Sequence, residues 1–114
     1  MEKETGASLV RKIFDTPFRP GDLVRWESQS QGSWKEKRGE VVAVIPAGLS
    51  AFRFLPSGKP NKEWRAMFTT DVAKIDRVLV RVQRVRKRDG QVLGWDYYCP
   101  RLSQVLIVEA RGWG

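Results

Sequence analysis

The hydrophobic positions of this chain fall in short, alternating runs separated by turn residues, the pattern of strands rather than helices. The stretch from Phe18 to Ile45 (FRPGDLVRWESQSQGSWKEKRGEVVAVI) sets it. Pro20-Gly21-Asp22 has turn chemistry, because proline presets φ and glycine accepts a positive φ at no steric cost. A first strand is expected over 22–28, with Val24 and Trp26 on one face and Leu23 and Arg25 on the other. The polar segment 27–38 reads as a long loop. A second strand is expected over 39–45, apolar on both faces and therefore central in the sheet and covered on two sides.

Further along, 51–55 reads as a third strand with Phe52 and Phe54 inward, and 56–62 (PSGKPNK) as a basic, turn-rich loop. A fourth strand over 63–69 places Trp64, Ala66 and Phe68 on one face, and 70–76 fits a single helical turn capped by Thr70 or Asp71. From 77 to 86, Val78, Val80 and Val82 alternate inward against Arg77, Leu79 and Arg81. The phase slips near Gln83-Arg84, which predicts a β-bulge. Asp89-Gly90 predicts a two-residue hairpin turn. A return strand follows over 91–98, and 104–109 (QVLIVE) is the last strand. Leu9, Val10, Ile13 and Phe14 have the spacing of a short helix over 7–14, which must dock on the body because it is too short to stand alone. The predicted core is Val24, Val42, Val44, Phe52, Phe54, Val78, Val80 and Ile107.

Short strands and turns in a chain of 114 residues predict an all-β fold, a small barrel. Gly21-Asp22-x-Val24-x-Trp26, followed by Gly39-x-Val41-Val42, resembles the opening of SH3-like barrels of the KOW and Tudor type, in which a GDxV turn-strand precedes a GxVxxV strand. The resemblance covers about residues 18–76. It implies a small SH3-like barrel and a role among nucleic-acid-binding, ribosome-associated or protein-binding modules. The hairpin at 77–109 runs past a minimal barrel of that type, either adding strands to it or projecting as an arm. The expected organisation is an N-terminal segment, 1–17, and one domain, 18–114.

Charge sharpens the functional side. Lys and Arg number 21 against 13 Asp and Glu, a net charge of +8 that favours polyanionic partners. Catalytic and metal chemistry find little to use. There is no histidine, so no Ser-His or Cys-His pair exists, and a zinc site lacks its usual ligands. The carboxylates are scattered, and neither a P-loop nor a dinucleotide fingerprint occurs. A non-enzymatic protein without cofactor or metal is expected. Cys99 is the one cysteine, which fits a reducing, cytoplasmic setting, and its place between tyrosine and proline favours packing over reactivity. No apolar run is long enough to cross a membrane, and the N-terminus lacks the apolar core of a signal peptide.

The sharpest feature is a basic run. Arg77, Arg81, Arg84, Arg86, Lys87 and Arg88 are six cations within twelve residues, with no acid among them. On a strand leading into a hairpin they would form a stripe that follows a phosphate backbone. Arginine, preferred for bidentate phosphate contacts, outnumbers lysine there. Charged protection of a sheet edge is the plainer explanation of the same residues. Lys35, Lys37 and Arg38 in the first loop, and Lys59 and Lys62 in the second, extend the expected interface. Trp34 stands in a polar segment, where an exposed ring would stack on bases or anchor a protein. Two readings follow: a DNA- or RNA-binding barrel, or a protein-interaction module, such as an accessory or inhibitor protein of a phage or mobile element, using the same residues on an acidic partner.

Overall fold

A computed structural model describes the chain over residues 17–30, 32–56 and 63–111. The helix expected over 7–14 lies outside the described residues. Among the described residues six strands make one sheet: β1 (Leu23–Ser30), β2 (Ser33–Ile45), β3 (Trp64–Ala66), β4 (Arg77–Val85), β5 (Val92–Tyr98) and β6 (Leu106–Glu109). Their order is β3-β5-β4-β2-β1-β6. All neighbours are antiparallel except β3 and β5, which run parallel.

The opening turn forms as its residues dictate. Gly21 has φ 97°, and the Asp22 N–H donates to the Arg19 carbonyl at 3.0 Å, closing a Pro-Gly turn. Asp22 is buried. Its carboxylate accepts the Arg19 N–H at 3.0 Å, and its carbonyl accepts the Val41 N–H at 2.9 Å. The turn is thereby pinned to β2.

The segment expected to be a loop is instead most of a hairpin. β2 begins at Ser33, not near Gly39, and pairs with β1 from Leu23↔Glu40 to Ser30↔Ser33. Gly32, at φ 81°, helps reverse the chain. Composition hid this because a polar two-stranded ribbon is held by its backbone ladder, and its side chains need not be apolar.

β4 and β2 occupy the centre, and β4 is covered on both faces. Val78 and Val80 join Phe18, Val24, Trp26, Val41 and Val105 in one cluster. Leu79, expected to face outward, joins Ile45, Ala51, Trp64 and Tyr97 in a second cluster on the opposite face. Arg77 through Val80 are consequently all buried. Val42 and Val44 are only partly buried, because a register shift between Val41 and Ala43 turns them at the cluster margins.

The sheet curls over the first cluster without closing into a barrel. β1 and β5 are three strand spacings apart, about 14 Å if flat. Yet the rings of Trp26 on β1 and Tyr98 on β5 are 5.6 Å apart, centroid to centroid. β3 and β6 remain as edges of an open sheet. Of the two arrangements open for 77–109, the hairpin adds strands: β4 and β5 are integral to the sheet and β6 pairs with β1.

Four local expectations are corrected. Residues 51–55 hold no strand: Phe52–Phe54 is a 3₁₀ turn, and both phenylalanines are exposed. Asp71 explains it, because its carboxylate accepts the Ser50 hydroxyl at 2.6 Å and the Phe52 N–H at 3.0 Å, taking the segment out of the sheet. The stretch 70–76 is not a helical turn; Val72 bridges Ser50. Ile107 is exposed, because β6 is an edge strand whose four residues all face solvent. The fourth strand shortens to Trp64–Ala66. The expected bulge falls between Arg84 and Val85.

Candidate functional site

β2 pairs with β4 only from Ile45↔Arg77 to Glu40↔Arg81. Beyond that last pair, residues 33–39 of β2 pair with β1 alone and residues 82–85 of β4 with β5 alone. Two two-stranded ribbons therefore leave the centre of the sheet side by side, one turning at Gly32 and the other at 87–90. The fork opens at Gly39. A Cβ there would lie 2.6 Å from both the Arg81 carbonyl oxygen and Val80 Cγ1, so glycine is required where β2 and β4 are closest.

The basic run does not form the continuous stripe that the sequence suggested. Arg77 is 5% exposed, and its guanidinium donates to the carbonyls of Thr70 and Asp71, each at 2.7 Å. It ties a connection to the sheet and is out of reach of phosphate. Arg81 bonds Glu40 at 2.8 Å and lies 4.2 Å over the Trp95 ring. Arg84 bonds Asp96 at 3.2 Å, and Arg65 holds the same carboxylate with two bonds of 3.0 and 2.9 Å. Arg86 grips Asp89 with two bonds of 3.0 and 2.8 Å and also bonds Gln91. Lys87 and Arg88 are the exposed pair at the tip. Sequence reading missed these arrangements because the acids concerned are distant in sequence or sit in the turn itself.

The partner charges respond accordingly. Burial acts to raise the Asp96 pKa, but hydrogen bonds from Arg65 and Arg84 outweigh it and hold the carboxyl below the usual range. The Arg86 hydrogen bond lowers that of Asp89. On the first ribbon, the Arg38 hydrogen bond at 2.6 Å lowers that of Glu36, which also meets Arg25 at 3.5 Å. Burial pushes the Cys99 thiol up to about 11, only partly offset by Arg77, which fits packing and not a nucleophile.

The first ribbon carries Trp34, Lys35, Lys37 and Arg38. Trp34 is 64% exposed. Lys35 and Arg38 are exposed, and Lys37 lies 5.2 Å over the Tyr98 ring. The crotch of the fork is a cleft of about 290 Å³ whose lining includes Arg38, Arg81, Gln83, Trp95 and Arg111. The structure thus brings together Arg38 and Arg81, from the two expected groups, and adds Arg111 and Trp95, which no local pattern assigns to that cleft. Lys59 and Lys62 lie outside the described residues. Among the described residues there is no cluster of three metal-ligating side chains, and no helix is long and apolar enough to cross a membrane. Compared with protein-family models, curated proteins and solved structures, the chain matches none.

Proposed function

We propose that this protein binds nucleic acid through the forked ribbons, mainly by contacts to the phosphate backbone. The observation that carries the reading is the fork itself: two ribbons, each bearing exposed cations, diverge from a cleft lined by Arg38, Arg81 and Arg111 against a single acid, Glu40. Exposed cations along such ribbons position a nucleic-acid backbone without reading its sequence. Lys35 and Lys37 serve on the first ribbon, where Arg38 is shared with Glu36, and Lys87 and Arg88 at the tip of the second. Arg81, Arg84 and Arg86 are shared with Glu40, Asp96 and Asp89, so their role is to hold the ribbons in shape while adding to the local field. Arg77 belongs to the scaffold. The KOW and Tudor resemblance is consistent with such a role.

The test is equilibrium binding to DNA and RNA across a salt series. Changing Lys35, Lys37, Lys87 and Arg88 together to serine should weaken binding to every sequence by a similar factor. It should also flatten log affinity against log salt by roughly 0.7–0.9 per lost phosphate contact. A parent protein that bound neither DNA nor RNA at low salt would sink the reading. A protein partner is the second reading, favoured by β6, which presents Leu106, Ile107 and Val108 on a free sheet edge.

A further inference from the structure

The exposed indole of Trp34 stands where two clefts meet. One, of about 460 Å³, lies toward Arg25 and Leu106, and the other, of about 300 Å³, toward Tyr98 and Met67. Trp26, Glu27, Trp34 and Gln104 line both. Most large rings elsewhere have found aromatic or cationic partners: Trp26 with Tyr98, Trp64 with Tyr97, Phe52 with Phe68 and Trp95 with Arg81. Trp34 instead projects from a polar ribbon, opposite Gln29, with a flat apolar face open to solvent.

From this we infer that the Trp34 cleft takes an unpaired nucleobase, so that the protein prefers single-stranded nucleic acid to duplex. The inference rests on the nucleic-acid reading and narrows it. Chemistry decides between base and phosphate. One cation, Arg25, and one acid, Glu27, line the clefts, so charge does not select a phosphate there, while the open Trp34 ring favours a base and Glu27 is able to accept hydrogen bonds from its amino group. Gln104 offers both a donor and an acceptor at the same wall. An indole stacks on any base face, and the neighbouring Lys35 is free to follow the strand's backbone. In a duplex the base faces are stacked on one another, so Trp34 could not engage them.

The experiment compares a short single strand with the duplex of the same sequence at low salt, by fluorescence anisotropy. The single strand should bind more tightly. Trp34→Ala should weaken single-strand binding roughly 5- to 150-fold, the worth of one stacked base, and leave the salt slope intact. Trp34→Phe should restore much of the affinity. A fluorescent adenine analogue in the strand should be quenched by the parent protein and not by Trp34→Ala. Equal binding of duplex and single strand, or an unchanged affinity in Trp34→Ala, overturns the inference and leaves the phosphate reading standing. Absence of binding to either form at low salt overturns both.

Discussion

At the residue scale, Gly39 and Arg77 show how little room the centre of the sheet leaves. Gly39→Ala places a methyl against a backbone oxygen that cannot swing aside. The substitution should destabilise the protein by on the order of 1–3 kcal/mol, as overpacking does. Denaturant midpoints of parent and variant would show it; an unchanged midpoint means that β2 and β4 lie further apart than described. Arg77 makes the complementary point about reading a sequence. Its place in a basic run argues for a surface role, and alternation puts it on the face opposite Val78 and Val80. That face proved to be a second core, so the guanidinium had to find carbonyl partners inside. No alternation pattern reveals which residues will cover a sheet's other face.

Elements tell the same story one level up. The Pro20-Gly21 turn, β4 and β5 were legible because turn residues and β-branched runs specify them locally. The β1–β2 ribbon was hidden, since its strength lies in pairing and its side chains look like a loop. The Asp89-Gly90 signal was half right. Gly90 has φ 72°, but the Gly90 N–H donates to the Arg86 carbonyl at 2.7 Å and the Arg86 N–H to the Gln91 carbonyl at 2.9 Å. The loop therefore spans 87–90, four residues and not two. A Cβ at Gly90 meets nothing within 4 Å, so the cost of Gly90→Val is conformational alone. It should be about 1–2 kcal/mol or somewhat more for a β-branched residue, with Gly90→Asn milder. Thermal melts of the two variants check the order; equal melting points would mean that Gly90 does not hold a positive φ.

For the whole molecule, Asp96 links three strands, accepting from Arg65 on β3 and Arg84 on β4 while sitting on β5. Its folded pKa is depressed. Its contribution to stability is therefore complete above the unfolded carboxylate value, about 3.9, and lost as pH falls through the lower folded value. Asp96→Asn should be less stable than the parent at neutral pH, and the gap should narrow below about pH 4. Unfolding curves at both pH values test this, and a gap independent of pH would show that Asp96 stays ionised or unpaired throughout. The overall class was readable from the chain, but openness was not, because closure depends on which edges meet, and strand patterning says nothing of that.

The strand order also sets a timetable. β1 finds β2 a few residues later, but its other neighbour, β6, is the last of the described strands, with Val24 opposite Ile107. A ribosome adding roughly 5–20 residues per second needs about 4–16 s to travel from one to the other. Throughout that interval the outer edge of β1 offers unpaired backbone groups to any passing strand. The alternation of Arg25 and Glu27 with Val24 and Trp26 puts charge on that waiting edge. What looks in the finished protein like a merely polar outer face is thus also the guard on a newborn chain.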